Sequence, residues 1–148
     1  MARYTTTIPS TWKVDQAFSY MSDFANARSW DPSVVASRRL DEEPVALGSQ
    51  FDLTVRFGGR NKELHYRVTS FDPPRSITFT SATRSLLSSD TLTFEPRVHG
   101  CAMRYDAELR FRGVASIANP ILGPLFRRLG DRARDSLREI LGSPHEAR

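Results

Sequence analysis

Three side chains in this sequence have both the type and the strand parity for acid–base chemistry in an apolar interior: Asp90, Tyr66 and Tyr105. Within residues 88–95, Asp90 alternates in phase with Ser88, Leu92 and Phe94. A strand that buries those two hydrophobes turns the carboxyl inward as well. Desolvation disfavours a carboxylate and raises its pKa, which suits a general acid or base near neutrality. Tyr66 and Tyr105 fall on the inward faces of two other alternating segments, where a phenol can donate to a developing oxyanion. The plainer reading, preferred on sequence grounds, leaves Asp90 at a strand end in solvent and uses both tyrosines as core. No residue is therefore assigned as catalytic from the sequence.

Other chemistries find less support. His65, His99 and His145 fall on an outward strand position, a turn and the tail, and no acid or cysteine spacing joins them into a metal site. No metal and no cofactor is expected. Neither Gly58-Gly59 nor Gly123 sits in a phosphate-binding loop, and no Ser-His-acid triad can be argued. Cys101 stands alone, which excludes an internal disulfide and fits a reducing, cytoplasmic compartment; it reads as a small strand residue rather than a nucleophile.

The 148 residues suffice for one domain with one core, expected to span 1–148 with a frayed tail over 143–148. An apolar fraction of 39% against 26% charged residues excludes a disordered chain. No apolar run reaches membrane-spanning length, and the first residues contain no apolar stretch of the kind a secretory signal needs, so neither integral membrane association nor secretion is expected. The net charge is +4, and Lys13 and Lys62 are the only lysines. The arginines are interleaved with acids, unlike the single-signed patch of a nucleic-acid binder, and no nucleic-acid partner is expected.

The elements that must position the candidate residues follow from periodicity. Residues 3–8 alternate as a first strand that Pro9 ends, with Ser10 capping a short helix that carries Ala17, Phe18 and Met21. Residues 23–26 add a turn, and Trp30-Asp31-Pro32 breaks the helix. Strand patterns follow over 34–40, 48–57, 62–71, 76–83, 88–95 and 101–112, separated by turns at Gly58-Gly59, Asp72-Pro73-Pro74 and His99-Gly100. Short turns make these antiparallel neighbours. One face carries Phe51, Leu53, Phe57, Tyr66, Phe79, Leu92, Phe94, Tyr105 and Phe111. The last long segment, 119–141, puts Leu122, Leu125, Phe126, Leu129, Ala133, Leu137 and Ile140 on one side of a helix. Only a sheet can cover that stripe. Asn119-Pro120 reads as cap and first turn. Pro124 then predicts either a kink or a separate short turn over 114–122, with the straight helix starting near Gly123.

The order of these elements and several strings resemble the SRPBCC, or START-like, superfamily with its helix-grip fold, and within it the bacterial polyketide cyclase/dehydrase and lipid-transport type. The strings are residues 14–30 leading into WDP, GSQF at 48–51, YRVTSFDPPRSITF at 66–79, TLTFEP at 91–96 with the Gly100 turn, a strand ending in Gly113, and NPILGPLFRRLGDRARDSLREIL at 119–141. Each is weakly specific alone; their order covers nearly the whole chain.

The resemblance implies an α+β helix-grip fold, a curved antiparallel sheet of about seven strands wrapped around the C-terminal helix, with a hydrophobic cavity between them. It implies a small hydrophobic ligand, such as a lipid or polyketide, and a monomer or homodimer. The candidate ligand-binding residues are Trp30, Phe51, Leu53, Tyr66, Phe79, Leu92, Tyr105, Leu122, Phe126 and Leu129. Trp30 reads equally as a lid edge over the mouth or a plug beneath the short helices. Two alternatives stay open. One is a cofactor-independent cyclase or dehydratase, for which Asp90 facing the pocket is the deciding observation. The other is an interaction module that presents the arginine-bearing helix face to an acidic partner or an anionic membrane surface.

Overall fold

The computed structural model describes residues 1–145. Seven strands form one antiparallel sheet: β1 (Ala2–Ser10), β2 (Val34–Arg39), β3 (Gln50–Phe57), β4 (Arg60–Asp72), β5 (Ser76–Ala82), β6 (Leu86–Arg97) and β7 (Gly100–Phe111). Their order is β1-β7-β6-β5-β4-β3-β2, so the first strand pairs with the last and β2 closes the other edge. Everything from β2 to β7 is a meander of adjacent strands, as turns this short require. Gly58 and Gly59 both have positive φ, the conformation of a two-residue hairpin turn that matches strand twist. At Gly100 a Cβ would overlap the carbonyl oxygen of Ser10, so only glycine lets β1 and β7 meet there. Register shifts near Val34/Ala36 and Val68/Ser70 add local twist, and the sheet curls into a half-barrel.

Between β1 and β2 lie α1 (Val14–Ser22), a 3₁₀ turn at Phe24–Asn26 and α2 (Ala27–Trp30). After β7 a 3₁₀ turn, Gly113–Ala118, leads into α3 (Asn119–Gly142), which lies across the concave face. No helix among the described residues is long and apolar enough to cross a membrane.

Several local expectations change in the folded chain. Pro9 does not end β1, which runs on to Ser10; on an edge strand a missing N–H is tolerated. Ser10 does not cap α1. Its hydroxyl donates to the Leu141 carbonyl at 2.8 Å and accepts from the Trp12 N–H at 3.0 Å, while the Gln16 side chain accepts from the Lys13 N–H to close the helix start. Asn119 is not a helix cap either. It grips the end of β7 instead, accepting from the Phe111 N–H at 3.0 Å and donating to the Phe111 carbonyl at 3.1 Å. The helix runs unbroken through Pro124, and the separate short turn stops at Ala118. The tail is held over its described part. The Ser143 carbonyl accepts from Trp12 Nε1 at 2.7 Å, and the His145 ring sits edge-on to Trp12 at 4.7 Å. Residues 146–148, the rest of the expected frayed tail, lie outside the described residues.

These contacts pin α3 at both ends, to β7 through Asn119 and to the β1–α1 junction through Leu141 and Ser143. In between, Gly130 brings the helix against β1, where a Cβ would come within 2.5 Å of the Tyr4 ring. The Tyr4 hydroxyl donates to Asp131 Oδ1 at 2.7 Å just beyond it. Leu137 and Leu141 are fully buried, whereas Leu125, Phe126 and Leu129 are only half covered. The helix is seated firmly near both ends, through Leu122 and through Leu137 and Leu141, and is only half covered between them.

Candidate functional site

The half-barrel is divided across its strands. In one half, α1 and the 3₁₀ turn after it fill the concave face. Phe18 packs against Phe71 and Phe94, and Phe24 stacks on Phe79 with ring centroids 4.0 Å apart. In the other half a cavity of about 120 Å³ remains. Its floor is the boundary between the halves, and its walls are the outer inward-facing residues of β3, β4, β6 and β7 with α3 as the roof. Among the wall residues is Lys62, which is also exposed, so the opening lies beside it. Phe57 of β3 and Phe111 of β7 belong to strands far apart in the sheet order, yet their ring centroids are 6.2 Å apart. The curl of the sheet brings them together at the rim, opposite the end of the cavity that α1 blocks.

A hydrogen-bonded set of polar groups sits at the floor, while Lys62 and Arg134 line the cavity elsewhere. Asp90 on β6 is 9% exposed and faces the cavity in mid-strand, opposite Ala107 of β7. The solvent-facing strand end of the plainer reading is therefore not where it sits. Tyr105, one step along β7 on the same face, donates its hydroxyl to Asp90 Oδ2 at 3.1 Å, a diagonal cross-strand pair. The Tyr66 hydroxyl and Ser88 Oγ are 2.9 Å apart. Tyr66 reaches Ser88 from β4 across β5, where the residue paired with Ser88 is the small Ser81. Trp30 closes the floor, edge-on to Tyr105 at 5.7 Å and 1% exposed. It is a plug under the short helices and not a lid edge.

Burial pushes the Asp90 carboxyl up to about 7; the Tyr105 hydroxyl opposes this and the negative charge of Asp31 adds to it. Burial also raises both phenols, Tyr66 and Tyr105, and the charge of Asp90 raises them further, so both stay protonated as donors. Asp31, at the junction of α2 and β2, also faces the cavity. Burial raises its carboxyl too, against the hydrogen bonds it accepts from the Ser33 N–H at 2.9 Å and the Ser33 hydroxyl at 2.8 Å. The cavity thus presents two carboxyls, Asp90 at the floor and Asp31 in the turn between α2 and β2, within walls that are otherwise mostly apolar. A carboxyl near its pKa beside a neutral phenol can take or give a proton and can hydrogen-bond a carbonyl or hydroxyl.

Of the residues singled out from sequence, Trp30, Leu53, Tyr66, Tyr105, Phe126 and Leu129 line this cavity together with Asp90. Phe51, Phe79, Leu92 and Leu122 do not. They are buried in the packed core, Phe51 and Phe79 against Phe24. Pro124 does not shape the opening, because the helix does not break there; the Phe57–Phe111 pair does. Sequence reasoning missed Asp31 as a wall residue. The available signal was Asp31-Pro32-Ser33 directly after a buried tryptophan, a turn whose side chain bonds two residues on.

A family model described as "Polyketide cyclase / dehydrase and lipid transport" matches residues 1–142. Among curated proteins, no sequence matches the chain. Similar solved structures include a START superfamily protein from Mycobacterium smegmatis, 14% identical, covering 95% of this chain and 97% of that one with a TM-score of 0.74. A protein from Thermus thermophilus is 12% identical over 95% of each chain, with a TM-score of 0.74. The ZhuI aromatase/cyclase from Streptomyces sp. R1128 is 14% identical, covering 95% of this chain and 92% of its own, with a TM-score of 0.70. Identities this low speak for the shared fold alone.

Proposed function

Since the chain belongs to the polyketide cyclase/dehydrase and lipid-transport family, we propose that it binds a small hydrophobic ligand carrying at least one oxygen function, in the cavity under α3. The observation that carries this reading is the hydrogen-bonded Asp90–Tyr105 pair at the floor of a largely apolar cavity. Buried polar groups that face empty space are satisfied by whatever enters it, and a carbonyl or hydroxyl fits a protonated carboxyl and a phenol. The volume limits the occupant. At about 120 Å³ the space compares with the roughly 150 Å³ apolar cavity that takes up benzene and falls short of the ~300–1,000 Å³ of common ligand pockets. A single ring or a short chain fits the closed form. A longer lipid or polyketide requires the half-covered stretch of α3 around Leu125, Phe126 and Leu129 to move away from the sheet, with Leu122 on one side and Leu137 and Leu141 on the other still buried. The test is displacement of an environment-sensitive fluorescent probe by ring compounds with and without a carbonyl. Equal affinity for the two sets overturns the role of the polar floor.

A second reading is favoured by one observation, the Asp90 carboxyl held near 7. As a cofactor-independent cyclase or dehydratase, the protein would use the Asp90 carboxylate to take a proton next to a bound carbonyl. The Tyr105 hydroxyl would then donate to the enolate oxygen, and the protonated Asp90 would return its proton to a leaving hydroxide as water. Asp90→Asn separates the two readings: a carrier keeps most of its ligand affinity, while an enzyme keeps binding and loses turnover by about 10²-fold or more.

A further inference from the structure

Three large apolar side chains near the mouth of the cavity are bare. Val114 is 97% exposed, Ile117 87% and Ile121 76%, all on the 3₁₀ turn and first turn of α3. Residues of this size are ordinarily found at least partly covered, and a cluster at one tip marks an interaction site. The charges in the segments around them are mostly positive, with Glu63 and Asp31 as acids beside the β3–β4 hairpin. Residues 109–130 contain Arg110, Arg112, Arg127 and Arg128 and no acid. The β3–β4 hairpin, residues 53–62, contributes Arg56, Arg60 and Lys62, again with no acid, and residues 76–89 contribute Arg84 alone.

Contacts gather these three segments at one end of the molecule. Phe57 touches Phe111, the Arg112 N–H donates to the Ser85 carbonyl at 2.9 Å, and Asn119 is bonded to Phe111 on both sides. Of the cations only Arg112 is partly covered; the rest are exposed. Taken over the whole chain the basic residues are interleaved with acids, and the fold collects the acid-free stretches at the end where the cavity opens.

We propose that this end, with Val114, Ile117 and Ile121 at its tip, docks on an anionic lipid bilayer. Apolar side chains enter the boundary between headgroups and acyl chains, while a surrounding ring of arginines meets lipid phosphates. A protruding tip with cations spread over three elements matches a flat, uniformly negative surface. A protein partner would ask for a groove or for paired charges of both signs. The docking brings the rim formed by Phe57 and Phe111 to the membrane, where a hydrophobic ligand passes between bilayer and cavity without crossing water. Its purpose rests on the carrier reading above; its occurrence does not.

The experiment is flotation of the full chain with vesicles of phosphatidylcholine alone and with added phosphatidylglycerol, at low and high salt. Wild type, Ile117→Ser/Ile121→Ser and Arg127→Gln/Arg128→Gln are compared, with probe binding to the cavity measured in parallel. Wild type is expected to float with the anionic vesicles only and to be released by salt. Each double variant is expected to lose about tenfold or more in partitioning, with unchanged circular dichroism and probe affinity. Failure of wild type to float with anionic vesicles overturns the proposal. So does an isoleucine variant that floats as well as wild type, which reduces the effect to general basicity. Self-association that the isoleucine variant abolishes, in place of flotation, also overturns it and makes the tip a protein interface. Loss of docking with probe binding intact leaves the carrier reading standing, and loss of probe binding with docking intact does the reverse.

Discussion

The Tyr105 hydroxyl donates to Asp90 Oδ2 at 3.1 Å, joining adjacent strands at the floor of the cavity. This bond does two opposed things. It stabilises the carboxylate form of Asp90, yet it sits where burial favours the acid, and burial is the larger effect.

The pH dependence of stability follows. Folding raises the Asp90 carboxyl from its ordinary 3.8 to about 7, so the folded state holds this proton more tightly than the unfolded one. The contribution is fully present below about pH 4 and is lost as pH rises through 7, with a slope approaching about 1.4 kcal/mol per pH unit in between. Denaturant melts of wild type and Asp90→Asn across pH 4–8 isolate it. The variant is expected to gain on wild type as pH rises, and a constant difference would show that Asp90 titrates normally.

Tyr105→Phe removes the one interaction that pulls the Asp90 carboxyl down. Its midpoint, followed by the ¹³C shift of the carboxyl carbon, is expected to move above that of wild type. Above neutral pH the variant is expected to be less stable by about 1–3 kcal/mol, the usual penalty for a buried acceptor left without its donor.

Leu129 and Leu141 separate the two tasks of α3. Leu141 is fully buried and lies outside the cavity walls, so Leu141→Ala is expected to cost about 2–5 kcal/mol with the cavity left accessible. Leu129 is half covered and lines the cavity. Leu129→Arg is expected to fill the space with its stem, keep the fold with its head turned to the opening, and abolish probe binding. Thermal melts and probe titrations of both variants check the assignment.

Gly130 sets how closely α3 approaches β1. A methyl group there falls 2.5 Å from the Tyr4 ring. Gly130→Ala is therefore expected to destabilise by about 1–3 kcal/mol through overpacking, against the ~1 kcal/mol that alanine normally adds to a helix interior. A stabilised variant would mean the helix is free to lift.

Much of this architecture could be read in advance, for a simple physical reason. Alternation tells which face a side chain takes, and it placed Tyr66 and Tyr105 on the concave side, where they are found; for Asp90 it allowed that face, but the preferred reading left the carboxyl at a strand end in solvent, and the structure overturns that reading. It does not tell how far along the half-barrel a residue sits. Phe51, Phe79 and Leu92 share that face with Leu53 and Tyr105 but lie on the half that Phe24 and α1 fill, a tertiary fact without a periodic trace. Asp31 falls in an irregular turn, where no period applies. Asn119 has the composition of a helix cap, and the nearby end of β7 claimed its side chain instead.

The space beneath α3 is expected to hold a hydrophobic ligand, and native mass spectrometry of wild type and Leu129→Arg purified from the same host cells, with extraction of whatever is bound, reads this out. The wild type is expected to carry a small, oxygen-bearing hydrophobic compound that the variant lacks. A wild type that arrives empty, or a variant carrying the same load, would contradict the account.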